Sequence, residues 1–152
     1  MCIRDRSKFY KYSTNRQDEL WTTVESEIAM LEIYLEIEKI RFGERLRVNL
    51  NIDETTKDIK LPRFLLQPLV ENAIKYGYNE IANQTHVQVV AEKKDNQLHL
   101  RILDDGKSFS EEMNTGYGLR SVQKKLKMLF PEKHEIAFVN QPQKGAFITI
   151  EL

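Results

Sequence analysis

The chain has 152 residues, 41% of them hydrophobic and 30% charged, a size and composition that fit one globular domain and argue against disorder. Lys+Arg and Asp+Glu number 23 each, so the formal net charge is zero; a general nucleic-acid binder carries a basic excess, and none is expected here. No apolar run reaches the roughly 18 residues that span a bilayer, residues 1–7 are too polar for a signal peptide, and the single Cys2 makes neither an internal disulfide nor a metal cluster alone. The expected compartment is the cytoplasm.

Residues 8–24 hold Phe9, Tyr10, Tyr12, Leu20 and Trp21 without a clear period and read as loosely helical. Residues 25–42 read as a firmer helix, because Val24, Ile28, Leu31, Leu35 and Phe42 recur at helical spacing. Glu36 with Lys39, and Glu38 with Arg41, can pair across one turn, and Gly43 is a natural stop. The period then changes to two. Leu46, Val48, Leu50 and Ile52 alternate with polar residues as in a half-buried strand. Residues 53–60 read as a loop. Residues 62–76 read as a helix ending at Gly77, with Pro68 inside it producing either a kink or a short first turn.

Val87, Val89 and Ala91 alternate, as do Leu98, Leu100 and Ile102, and the short polar link 93–96 makes the two strands a hairpin. Residues 104–115 form a polar loop. Leu119, Val122, Leu126 and Leu129 mark a third helix, with Arg120, Lys124, Lys125 and Lys127 outside. Residues 136–139 and 146–152 are two last strands around a turn at 140–145. Three helices and about five strands in this order point to an α/β (α+β) fold: a two-layer sandwich whose sheet is mixed and largely antiparallel.

Three places hold residues suited to chemistry. In the helix around Gln67-Pro68-Leu69, the residues Leu66, Leu69, Val70, Ala73 and Ile74 cover one face at about 100° per residue. Asn72, Lys75 and Tyr76 gather on the other, with Glu71 at the edge. An amide oxygen suits magnesium, and a lysine one turn away suits phosphate; a merely solvated polar face fits the periodicity as well. At a strand end, one of Asp104 and Asp105 must face inward, where a carboxylate accepts from an amine such as that of adenine. Gly106 allows close approach to the backbone, and Asp-Gly is also common in plain turns. Gly116-Tyr117-Gly118-Leu119 opens a helix, where backbone N–H groups can face phosphate; a flexible loop running into a helix cap is the equal alternative.

Taken in order, Glu-Asn-x-x-Lys on a helix, Asp-x-Gly after a strand and Gly-x-Gly-Leu opening a helix resemble the GHKL family of ATP-binding domains. Tyr34-Leu-Glu-Ile-Glu-Lys-Ile-Arg-Phe42 and the highly specific run Leu65-Leu-Gln-Pro-Leu-Val-Glu-Asn-Ala73 resemble the LytS-type sensor histidine kinases. Lys144-Gly145 is similar to that family's last glycine-containing box. The resemblance runs from about residue 10 to the end. It implies a Bergerat-type fold, with 1–44 the tail of a helical dimerisation and phosphoacceptor region and 45–152 the catalytic domain. It implies that Asn72 binds Mg2+, Glu71 orients the phosphate end or a water, Lys75 holds phosphate and Tyr76 flanks the nucleotide. Asp104 would receive the adenine amine with Gly106 beneath the base; Gly116, Gly118 and Leu119 would border the triphosphate under a lid at 107–115.

The chain departs from the family pattern in three ways. Ser108 and Asn114 stand where glycines are usual. His86, His99 and His134 lie outside any Pro-His-Phe acceptor motif and read as solvated surface residues. Residues 1–7 match nothing in the family. The function implied is a protein histidine kinase that uses ATP and Mg2+, passes phosphate to a histidine outside this fragment, and serves a response regulator receiver domain. The full-length protein would be a homodimer, with any membrane part upstream, and the fragment alone would not phosphorylate itself. A degenerate, non-catalytic nucleotide-binding module and a pure interaction domain are the alternatives.

Overall fold

A computed structural model describes residues 20–110 and 116–152. The expectations placed on residues 1–7, on Phe9, Tyr10 and Tyr12, and on Asn114 within the loop 107–115 therefore lie outside the described residues.

The first described element is a strand, β1 (Trp21–Thr23), not the loose helix expected there. It pairs antiparallel with β3 (Lys60–Pro62), which also ends the loop expected at 53–60. Trp21 is fixed edge-on against Phe130, with ring centroids 5.6 Å apart. α1 (Val24–Phe42) follows directly. The Thr23 side chain accepts from the Ser26 N–H as its N-cap, and Gly43, at φ 62°, closes the helix through its own N–H to the Lys39 carbonyl. Arg41, expected to pair with Glu38, lies instead 5.6 Å from the centroid of the Phe42 ring.

β2 (Leu46–Ile52) has the expected alternation. α2 runs over Gln67–Tyr76, shorter than the expected 62–76. A helix begun at 62 would lose the bond from position 68 to the carbonyl of 64 and press the proline ring on that carbonyl. The chain instead turns at 63–66, with Phe64 at φ 58°, and puts Pro68 in the first helical turn, where no intrahelical N–H is needed. No kink results.

β4 (Tyr78–Asn79), β5 (Gln84–Lys94), β6 (Gln97–Asp104), β7 (His134–Val139) and β8 (Gly145–Glu151) complete a six-stranded sheet with β2. Its order is β2-β5-β6-β8-β7, with β4 paired to β5. Among the described residues the β2–β5 ladder alone is parallel; the β5–β6, β6–β8, β7–β8 and β4–β5 ladders are antiparallel. The β5–β6 hairpin turns through Asp95 and Asn96 at φ 53° and 59°, as a two-residue mirror-image turn requires. α3 (Tyr117–Leu129) joins β6 to β7.

The mixed, largely antiparallel two-layer sandwich is thus the observed fold. Val87, Val89, Leu100, Ile102, Ile148 and Ile150 point from the sheet into one core. The helices meet them with Val24, Ile28, Leu31 and Leu35 of α1, Leu69, Val70 and Ala73 of α2, and Leu119, Val122 and Leu126 of α3. Among the described residues, no helix is long and apolar enough to cross a membrane.

Candidate nucleotide site

The site is built on α2, and α2 is held by a residue of α1. Its N-cap, Leu66, offers no side-chain cap, so the first N–H groups need another acceptor. The Glu27 carboxylate supplies it. It accepts from the Phe64 N–H at 3.2 Å through Oε2 and from the Leu66 N–H at 3.2 Å through Oε1. Glu27 is only 6% exposed, and burial raises its carboxyl above the ordinary 4.5, against the pull of those N–H groups and of Lys125. Lys125 in turn donates to the Arg63 carbonyl at 2.8 Å, and its own burial lowers its ammonium. The turn into the helix is therefore pinned from two sides.

α2 buries Leu69, Val70, Ala73 and Ile74 and turns Glu71, Asn72, Lys75 and Tyr76 outward, as its pattern predicted. The Gln67 amide donates to Glu71 Oε1 at 3.1 Å, and the Lys75 ammonium lies 5.1 Å from the centroid of the Tyr76 ring. Facing them is the start of α3. Gly116 is its N-cap without a side-chain cap bond, and the first backbone N–H groups of a helix suit an anion. Gly118 lets the helices approach: a Cβ there would stand 3.2 Å from Pro68 Cβ. Between them lies a cavity of about 220 Å3, lined by Pro68, Glu71, Asn72, Lys75, Tyr76, Gly116, Gly118 and Leu119.

Asp104 ends β6 beside this cavity. It is 3% exposed, while Asp105 is exposed, so the inward aspartate is the first of the pair. Its Oδ1 accepts from the Gly106 N–H at 2.9 Å and lies 3.2 Å from the Lys144 ammonium. Burial raises the Asp104 carboxyl above its usual range, and the Gly106 N–H and Lys144 pull it back. Gly106 serves the chain's own backbone: a Cβ there would stand 2.2 Å from the Tyr76 carbonyl oxygen and 2.6 Å from Gly77 Cα. It lines a separate hollow with Tyr78, Asn79 and Lys107.

Lys144, noted in the sequence only beside Gly145, is 5% exposed and also donates to the Tyr76 carbonyl at 3.3 Å. The β6–β8 register, with Leu103 opposite Gly145, puts it across from Asp104; only that pairing could have disclosed the contact. Phe109 and Glu27 were likewise missed. The three histidines, expected to be solvated, are each half-buried with a polar neighbour: His86 with Asn49 at 3.0 Å, His99 with Thr149 at 3.4 Å and His134 with the Phe130 carbonyl at 2.7 Å.

Among the described residues, no cluster of three or more His, Cys, Asp or Glu is placed to hold a metal ion. Among the described residues, the amide oxygen of Asn72 and the carboxylate of Glu71 are the hard-cation donors that line the cavity. That sparse oxygen set fits magnesium, which keeps several waters and shares its shell with phosphate, and fits a zinc or calcium cage poorly.

Residues 57–152 match the family model of histidine kinase-, DNA gyrase B- and HSP90-like ATPases, and the chain belongs to that family. Residues 2–46 match the histidine kinase model, so the expectation that residues 1–7 match nothing in that family does not hold for residues 2–7. Among individual proteins, the chain is similar to the sensor histidine kinase BtsS of Escherichia coli K12, at 34% identity over 147 residues, covering 96% of this chain and 26% of that protein. It is also similar to the sensor histidine kinase/phosphatase LytS of Staphylococcus aureus Mu50, at 28% over 153 residues, 90% of this chain and 26% of that protein. The chain thus spans about a quarter of the length of these curated relatives. In fold it is similar to the histidine kinase AdeS of Acinetobacter baumannii, with a TM-score of 0.65 at 21% identity over 98% of this chain and 76% of that one.

Proposed function

We propose that the chain is the ATP-binding catalytic part of a bacterial sensor histidine kinase. The whole protein would move the γ-phosphoryl group of ATP to a histidine outside these residues, and then to an aspartate on a response regulator receiver domain. In this reading 45–152 is the catalytic unit and 1–44 the tail of the dimerisation and phosphoacceptor region. The full-length protein acts as a homodimer with this part in the cytoplasm, and any membrane attachment comes from other segments. The observation that carries the reading is the cavity at which Glu71, Asn72, Lys75, Tyr76, Gly116, Gly118 and Leu119 meet.

Phosphoryl transfer asks a protein for positioning and charge neutralisation more than for covalent chemistry. Asp104 accepts from the exocyclic amine of the base, with the Gly106 N–H steadying its carboxylate. Tyr76 flanks the nucleotide. Lys75 and the uncapped N–H groups at the start of α3 meet the phosphate oxygens, where helix dipole and ammonium oppose their charge. Asn72 would hold Mg2+ through its amide oxygen, with Glu71 orienting a water or the phosphate end; the ion supplies charge neutralisation at the phosphates. The acceptor imidazole then forms an N–P bond as the O–P bond to ADP breaks.

A calorimetric titration with a non-hydrolysable ATP analogue, with and without magnesium, tests this. Binding should be tighter with magnesium. Asn72→Ala should abolish that gain, and Lys75→Ala should weaken binding about tenfold, the loss of one charge-assisted contact. Titrations unchanged in both variants would overturn the pocket.

A further inference from the structure

The apolar slot beside Asp104, where the reading above puts the base, is already full. The free space among Leu69, Asn72, Ala73, Ile102, Asp104 and Phe109 is about 10 Å3, barely the roughly 10–15 Å3 that one water needs. A purine cannot enter it as it stands. Phe109, which no sequence signal had marked, walls this space together with Phe138 and Ala146.

Three contacts hold that ring. Its edge meets Phe138, with centroids 5.4 Å apart and planes at 76°. The Phe109 N–H donates to Asn140 Oδ1 at 2.8 Å. The Lys144 ammonium lies 4.9 Å from its centroid, within cation–π range. That ammonium is itself placed by Asp104 Oδ1 at 3.2 Å and the Tyr76 carbonyl at 3.3 Å. An aromatic ring thus walls the slot, and an N–H donor sits on the carboxylate assigned to the base. Ring and donor together reproduce what an aminopurine would offer.

Resting on the nucleotide reading, we propose that Phe109 and Lys144 are internal competitors of the base: a bound adenine replaces the Phe109 ring in the slot and the Lys144 ammonium at Asp104. Affinity is then set partly by how readily these two side chains leave. A site competent for only a fraction of the time binds more weakly by that fraction. The competition concerns the base alone, so it acts equally on adenosine and on its phosphates. Lys144 must also pass from a buried to an exposed position when the base enters.

Two measurements test the proposal. The first is calorimetric titration of Phe109→Ala and the unsubstituted chain with adenosine and with Mg-ADP. The variant should bind both more tightly, by the same factor of about tenfold. The second uses the unsubstituted chain and needs no variant to fold: amine-reactive labelling of Lys144, read by mass spectrometry. Lys144 should be protected in the free protein and become labelled at saturating adenosine. If Phe109→Ala binds equally or less tightly while binding still depends on Asn72, the inference is overturned and the nucleotide reading stands. Continued protection of Lys144 under saturating adenosine also overturns it. If neither protein binds adenosine or Mg-ADP, the nucleotide reading fails and takes the inference with it.

Discussion

Replacing Glu27 by alanine tests how the site helix is held. The carboxylate serves the two backbone donors of Phe64 and Leu66, both at 3.2 Å, in a position 6% open to solvent. Alanine leaves both donors without that acceptor: the buried Leu66 N–H costs about 1–3 kcal/mol as an orphan, while the Phe64 N–H, on a residue 51% exposed, can turn to water at little cost. Lys125 loses the carboxylate that faces it. A total near 2–3 kcal/mol is a sizeable share of the roughly 5–15 kcal/mol typical of a domain. At about 2–4 °C per kcal/mol for a chain of this size, the midpoint should fall by roughly 5–10 °C. Glu27→Gln keeps an accepting oxygen and should cost only about 1–2 kcal/mol near pH 7.

The pH dependence separates charge from packing. Because burial raises the Glu27 carboxyl above 4.5, the folded protein takes up this proton before the unfolded chain does as pH falls. Its contribution to stability is complete below the unfolded value and is lost as pH rises through the folded one. The unsubstituted chain should therefore gain stability relative to Glu27→Gln on acidification toward pH 4.5. Urea unfolding followed by far-UV circular dichroism, from pH 7.5 to 4.5, measures both effects. A Glu27→Ala midpoint within a degree or two of the unsubstituted chain would refute the capping argument.

Gly106→Ala should destabilise by about 3 kcal/mol or more, because its Cβ meets backbone at 2.2 Å and 2.6 Å that cannot swing aside; thermal melts check this, and a loss below about 1 kcal/mol would contradict the packing. Thr23→Ala removes the α1 cap bond to Ser26 and should cost about 1 kcal/mol in chemical unfolding. Incubated alone with γ-labelled ATP, the chain should acquire no acid-labile phosphate; label mapped to His86, His99 or His134 would show an acceptor within this sequence.

What the sequence disclosed, and what it hid, follows from how far each signal reaches. α1 and α3 were legible because Val24, Ile28, Leu31 and Leu35, and Leu119, Val122 and Leu126, repeat at one helical period and are all buried. The β5–β6 hairpin was legible from two alternating runs and a short polar link. The face of α2 that carries Asn72 and Lys75 followed from the same periodicity. β1 and β3 were not legible, since three residues are too few to show a period of two, and each is a strand only because the other lies beside it. Glu27 sits between Ser26 and a core residue and looks like one more surface carboxylate until the 63–66 turn is laid against it. Phe109 stands in a polar loop whose destination, the slot beside Phe138, is fixed by contacts distant in sequence.

The buried pair of Asp104 and Lys144 also bears on how this sequence can drift over generations. Losing either partner alone strands a buried charge, at about 3–5 kcal/mol, so lineages that change one position first pass through poorly folded intermediates. Replacing both by apolar residues is close to neutral for folding, but reaching that state takes two coincident steps. The two positions, adjacent across β6 and β8 and remote along the chain, are coupled through folding: a change at one is tolerated better when the other changes with it. The lysine guards the aspartate against casual loss, so selection for a folded chain alone would preserve the acceptor that the proposed function assigns to the base.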